Sequence, residues 1–279
     1  MSFIAFVFAR MAYRVTRSFD ASNEANARRG TTSDAERAEW RHTEARSRVR
    51  AELMFHPRAF ARALDDDDDD EVTTTMSKTT IGMKTRALVV GDERCGKTTL
   101  CVRFAARFAL ARPRARALIL RRRNARDGED VHLTEKEKMK ANEALKRVFI
   151  KYVESDEDVR RWCAFRHCAP SETQPTLVVV DDLGSMVRET DRVRRELAYA
   201  KTLAVLHESA RDDESGEATV LIVSERTERE TGTAPMAYVY ARWFEEVLHA
   251  HEDASTGKEG DWDLQASSDG ASAKYSTRN

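Results

Sequence analysis

No apolar run in this chain approaches the roughly 20 residues that a membrane-spanning helix needs. Cysteine is scarce. Cys95, Cys101, Cys163 and Cys168 have no framework spacing, which excludes a disulfide scaffold and suits a reduced intracellular chain. Cys163, His167 and Cys168 fall on about one helical turn but lack a fourth ligand, so no zinc site is expected. Neither sign of charge is in excess. The 47 Lys and Arg against 48 Asp and Glu leave a formal net charge of −1. The chain as a whole is therefore no general binder of polyanions, and any nucleic-acid surface has to be local.

What is present begins at residue 84. Gly91-Asp92-Glu93-Arg94-Cys95-Gly96-Lys97-Thr98 fits G-x-x-x-x-G-K-[ST], the Walker A or P-loop pattern. Ala87 to Val90 form a short apolar run before it, as a buried parallel strand does. Thr99 to Arg112 follow without Gly or Pro, as a helix does. In this setting the two glycines let the backbone curl, so that the amides of residues 91–99 face phosphate oxygens at a helix N-terminus. The nucleotide contacts expected are Gly91, Asp92, Glu93, Arg94, Cys95, Gly96, Lys97, Thr98 and Thr99. Lys97 is expected to reach the β- and γ-phosphates of ATP, and Thr98 to bind Mg²⁺.

Downstream, Leu177-Val178-Val179-Val180-Asp181-Asp182 is an apolar strand ending in two carboxylates, the Walker B pattern. Asp181 is the expected second metal residue. Carboxylates there lie where ligands bind in open α/β sheets, beyond the carboxyl ends of the strands.

The flanks divide the chain. Residues 1–83 read as a poorly ordered extension, dispensable to the core. Met1 to Phe19 are apolar and carry Arg10, Arg14 and Arg17. Organelle transit peptides share that composition, but a solvated tail is the expectation adopted. Seven consecutive acids from Asp65 to Glu71 repel one another and read as a linker. Residues 84–267 read as one α/β domain. Leu118-Ile119-Leu120, residues 147–153, the Walker B strand and residues 219–223 supply strands two to five. The helices between them run from a Thr134–Glu137 capping box to about Lys146, from Ser155 to about His167, and from about Thr190 to Arg211. Residues 246–252 and 262–266 alternate like a terminal hairpin, and residues 268–279 read as a disordered tail. The fold class expected is α/β, a mostly parallel sheet with helices on both faces and a C-terminal β-hairpin.

Spacing separates P-loop classes. Asp181-Asp182-Leu183-Gly184 satisfies the D-x-x-G of small GTPases, but two strands intervene between the P-loop and Asp181, where GTPases have one. No N-K-x-D follows, and Asn124-Ala125-Arg126-Asp127 comes too early. The P-loop, with an acid after its first Gly and Arg at its fourth place, resembles that of the RecA-like recombinases and their paralogues. More narrowly, the chain resembles the small ATPase that partners a SWIM-domain protein in the Shu-type complex. Leu118 to Arg123, an apolar strand ending in arginines, carries that likeness. So do Arg147 to Tyr152 ahead of Trp162-Cys163, Trp243-Phe244, and the stretch from Asp261-Trp262 to Ser268-Asp269-Gly270. The resemblance covers about residues 85–270. It implies a nuclear RecA-like ATPase that binds single-stranded DNA and acts in homologous recombination DNA repair. Its partners would be a SWIM-domain protein and a recombinase. A stand-alone GTPase or small-molecule kinase is the alternative.

Recombinases carry a catalytic glutamate at the end of the second strand. Here Arg121, Arg122 and Arg123 stand there instead. Asp182 is then the nearest carboxylate to orient water, with Glu225 second, and slow hydrolysis is expected. The catalytic pair is Lys97 and Asp182. Arg103, Arg107, Arg112, Arg114, Arg116, Arg121, Arg122, Arg123 and Arg126 form a local basic cluster suited to phosphates. Arg121, Arg122 and Arg123 are its expected centre. Phe60-Ala61-Arg62-Ala63 also matches F-x-x-A, the pattern by which recombinases dock on a neighbour.

Overall fold

A computed structural model describes residues 60–61, 85–123, 133–170, 173–210, 219–228, 231–252, 261–267 and 270–276. Asn124 to Asp127, the acidic run and residues 1–59 lie outside them. Eight strands form one open sheet in the order β3-β2-β4-β5-β1-β6-β7-β8. They are β1 (Arg86–Gly91), β2 (Ala117–Arg122), β3 (Val148–Val153), β4 (Leu177–Asp181), β5 (Val220–Arg226), β6 (Glu246–Glu252), β7 (Asp261–Ala266) and β8 (Ser272–Ser276). Every pairing from β3 to β6 is parallel, whereas β6–β7 and β7–β8 are antiparallel. The protein is thus a mixed α/β fold with a mostly parallel sheet.

The central strands are continuous apolar runs because both of their faces are covered. In β1, Ala87 and Val89 face one core while Leu88 and Val90 face the other. Helix α1 (Lys97–Ala111) covers the first face and buries Leu100, Phe104 and Phe108. Helices α4 (Asp156–Phe165) and α6 (Arg192–Ser209) cover the second through Val159, Cys163, Tyr199, Leu203 and Leu206. Arg160 pins these two together: it pairs with Asp156 and donates to the Thr202 hydroxyl at 2.8 Å.

Thr134 opens its helix with the expected capping box, but the segment to Lys146 is not one helix. It forms α2 (Glu135–Lys140) and α3 (Asn142–Leu145), broken at Ala141. Glu137 of the box is fully buried and takes a hydrogen bond from Arg103 Nε at 3.0 Å. Two short helices follow later, α5 (Leu183–Met186) and α7 (Ala237–Tyr240); no sequence signal announced α7.

Two expected boundaries move. The tail assigned to 268–279 contains β8, which extends the hairpin to three antiparallel strands. Within it Tyr275 is buried, and Ala271 and Ala273 pack against the α1-side core, so a mostly polar stretch still presents an alternating apolar face. The core also reaches upstream of residue 84. Phe60 is 0% exposed and stacks on Phe104 with ring centroids 4.4 Å apart, and Ala61 is buried beside it. Arg62 and Ala63 of the F-x-x-A match lie outside the described residues. A stacked, fully buried phenylalanine is a large share of a domain's net stability. Phe60→Ala should therefore cost about 3 kcal/mol or more in urea denaturation of the full chain. A loss below about 1 kcal/mol would mean that this segment is not part of the cooperative core.

Candidate functional site

The site lies at the carboxyl ends of β1, β4 and β5, on the face that α1 covers. β1 ends at Gly91, which pairs in register with Arg226 of β5. A side chain at Gly91 would place Cβ 2.7 Å from Cys95 Sγ and 2.8 Å from Ala250 Cβ, so only glycine allows the loop to close here. The loop turns back through Arg94 and Gly96, both at positive φ (69° and 82°). Gly96 then caps α1 with no side-chain partner for the helix amides, leaving them to receive an acceptor from outside the chain.

Lys97 folds over this loop. Its Nζ donates to the carbonyls of Gly91 at 2.8 Å and Asp92 at 2.6 Å. Cys95 Sγ is 3.6 Å from the same ammonium. Burial pushes the Cys95 thiol up in spite of the Lys97 charge, so it stays protonated and leaves that charge uncompensated by a thiolate. Tyr275 of β8 donates to the Cys95 carbonyl at 2.6 Å, so the last described strand braces the loop.

Asp181 is the hub. It is 4% exposed. Thr98 Oγ1 donates to its Oδ2 at 2.7 Å and Ser224 Oγ to its Oδ1 at 2.7 Å. The Asp182 amide donates in turn to Ser224 Oγ at 2.8 Å. The structure therefore brings Gly91, Gly96, Lys97, Thr98 and Asp181 together at one sheet edge. Thr99 is buried in the first turn of α1. Among the described residues no group of three or more His, Cys, Asp or Glu side chains forms a metal cage. A cation placed here would meet the Thr98 hydroxyl and the Asp181 carboxylate, and would need its remaining oxygens from outside the chain.

The two other acids are already engaged. Asp182 sits at φ 61° and caps α5. Arg226 clamps it, with Nη2 donating to Oδ2 at 2.6 Å and Nε to the same oxygen at 2.9 Å. Glu225 faces the other side of the sheet and is 1% exposed. Tyr240 donates to its Oε2 at 2.6 Å and Tyr199 at 3.2 Å. Glu225 is thus a packing carboxylate and not a second base facing the loop. Gly184, the glycine of D-x-x-G, is explained by the same cluster: a Cβ there would meet the Glu225 carboxylate and lie 2.9 Å from the Tyr199 hydroxyl.

The arginine cluster does not form one surface. Arg103, Arg107 and Arg121 are buried, which removes Arg121 from the expected DNA-contacting triplet. In register, Arg121 lies beside Asp181 on the neighbouring strand. Arg122 and Arg123 are exposed. Arg122 donates to the Ser185 carbonyl at 2.7 Å, and the Arg123 guanidinium lies 4.9 Å from the centre of the Tyr152 ring. Arg126 lies outside the described residues. Sequence reasoning missed Ser224, Arg226, Thr227 and Tyr275. The first three sit just after a recognisable apolar strand, whereas nothing in the sequence marks Tyr275. No protein-family model and no curated protein sequence matches the chain.

Burial holds the Glu225 carboxyl above its ordinary 4.5. A carboxyl raised in the folded state lends its stability below the unfolded pKa and loses it as pH climbs through the folded one. The stability of the wild type relative to Glu225→Gln should therefore fall as pH rises above the ordinary glutamate range, followed by thermal denaturation of both chains between pH 4 and pH 8. A difference that is flat, or that grows with pH, would contradict a raised Glu225.

Proposed function

We propose that the chain binds ATP with Mg²⁺ between the 91–98 loop and Asp181, hydrolyses it slowly, and serves as a RecA-like accessory protein in homologous recombination. The observation that carries the nucleotide reading is the 2.7 Å bond from Thr98 Oγ1 to Asp181 Oδ2. It joins the residue after Lys97 to a strand-end carboxylate 83 positions away, which is the pairing that Mg²⁺–phosphate chemistry requires. The RecA-like reading is supported by a β3-β2-β4-β5-β1 sheet order with antiparallel strands appended after β6, together with the resemblance of the P-loop and the arginine-ended second strand.

In this reading the amides of the loop and the α1 N-terminus receive phosphate oxygens. Lys97 exchanges its two carbonyl acceptors for phosphate. Thr98 and Asp181 hold Mg²⁺, which supplies neutralisation of the triphosphate charge. Asp182 is the carboxylate assigned to orient water. Its engagement with Arg226 and the absence of an acid at 121–123 both favour slow turnover. A SWIM-domain protein and a recombinase are the partners that the resemblance implies, and single-stranded DNA is the polymer. Nuclear location follows from that role.

Lys97→Ala and Thr98→Ala should each weaken Mg²⁺–ATP binding about tenfold or more in isothermal titration, the scale of a lost charge-assisted contact. ATP should bind at least as well as GTP. Unchanged affinity in both variants would end the P-loop assignment, and a roughly hundredfold preference for GTP would favour a GTPase instead.

Arg122 and Arg123 are the exposed pair left for DNA. Changing both to Glu, with buried Arg121 retained, should weaken binding of a labelled single-stranded oligonucleotide, read by fluorescence anisotropy. Affinity should fall as salt rises, and the salt slope should shrink by about 1 to 2 contacts. Binding equal to the parent would place the DNA surface elsewhere.

A further inference from the structure

Arg226 bridges both halves of the site. It ends β5 on the same face as Ser224, in register with Gly91. Two of its nitrogens donate to Asp182, at 2.6 and 2.9 Å from Oδ2, and Nε is 3.2 Å from Oδ1. Its remaining nitrogen lies 3.6 Å from Glu93 Oε1 in the glycine-bounded loop. The side chain is 46% exposed, so it is held by these acids and not by packing. Its backbone, in contrast, is fixed: the Arg226 amide donates to Glu225 Oε1 at 2.9 Å, and Glu225 is locked by Tyr199 and Tyr240. The next residue continues the bridge, since the Thr227 amide donates to the Gly91 carbonyl at 3.1 Å and its hydroxyl to Asp92. A movable guanidinium on a rigid strand end therefore stands beside the loop with two carboxylates as its partners.

We propose that Asp182, assisted by Glu93, is an internal competitor for Arg226, so that the chain alone holds a triphosphate more weakly than its loop permits. The inference rests on the ATP reading above. A guanidinium fork matches phosphate as well as carboxylate, and a terminal phosphate has to draw Arg226 off Asp182 before the two can pair. That exchange gives one acid two effects. While it holds Arg226, Asp182 lowers triphosphate affinity and its own oxygens are occupied. Once released, those oxygens are open to water. Asp182 accordingly opposes binding and supports hydrolysis, a split in sign that a residue with only a structural role does not produce.

The test is a double-mutant cycle read by isothermal titration and phosphate release. Asp182→Asn keeps the shape, and Asn tolerates the left-handed backbone at this position. It should tighten Mg²⁺–ATP binding about fivefold, leave ADP nearly unchanged and lower kcat. Glu93→Gln should move ATP affinity the same way by less. Arg226→Ala should weaken ATP more than ADP, and Asp182→Asn added to it should bring no gain. A gain from Asp182→Asn that persists without Arg226 would reduce the effect to charge repulsion and overturn the competition. So would an equal change for ADP and ATP, or weaker ATP binding in Asp182→Asn. If neither the wild type nor Asp182→Asn binds ATP, the nucleotide reading itself fails. If only Asp182→Asn binds, both stand.

Discussion

The site is organised around one buried carboxylate. Asp181 ends a strand whose preceding four residues are all apolar and buried. A charge taken that far out of water has to be met by donors, since the cost of leaving it unmet exceeds what a typical domain has in reserve. Thr98 comes from the helix after β1 and Ser224 from β5. Satisfying Asp181 therefore fixes the spacing of three elements at once. The Ser224 hydroxyl passes the constraint on to the Asp182 amide, and from there to the turn that starts α5. Packing of the two apolar faces makes the sheet, but this hydrogen-bonded junction sets where its carboxyl ends stand relative to α1.

Much of this was legible beforehand because it depends on local rules. Apolar runs of four to six residues, a capping box at Thr134 and a glycine-bounded turn each speak for themselves over a few positions. The glycine at 91, the lysine at 97 and the carboxylate at 181 stand out in the sequence for that reason. What was missed depends on distant contacts. Tyr275 matters because its hydroxyl meets a carbonyl 180 positions earlier, and a lone tyrosine in a polar stretch carries no trace of that. Phe60 is similar: a phenylalanine in an alanine-rich segment looks the same whether it stacks on Phe104 or meets water. Arg121 shows the reverse error. Three consecutive arginines suggest one basic surface, but alternation along a strand sends successive side chains to opposite faces, and the first of the three is buried.

The tyrosine pair around Glu225 gives the fold a second polar junction, on the opposite face of the sheet from Asp181. Tyr199 and Tyr240 meet edge to face with ring centroids 5.7 Å apart, and both hydroxyls point at one carboxylate. Their own ionisation is pushed up by burial first and then by that neighbouring charge, so they act as hydrogen-bond donors throughout the range in which proteins stay folded. Strand β5 is thereby gripped on both faces at adjacent residues, Ser224 on one and Glu225 on the other. A strand end held in this way resists fraying and presents the following side chain from a fixed backbone.

The bond from Tyr275 to Cys95 also has a consequence for the order in which the protein is made. The glycine-bounded loop emerges from the ribosome early, yet one of its carbonyls is satisfied only by a residue 180 positions later. At elongation rates of about 5–20 residues per second, the loop waits roughly 10–40 s for that partner. For most of that interval β1, which has β5 and β6 as its neighbours, has neither strand to pair with, since β5 is complete only at Arg226 and β6 only at Glu252. Strands β2, β3 and β4 with their helices are neighbours in both space and sequence, and they are free to assemble first and wait for the centre of the sheet to be filled.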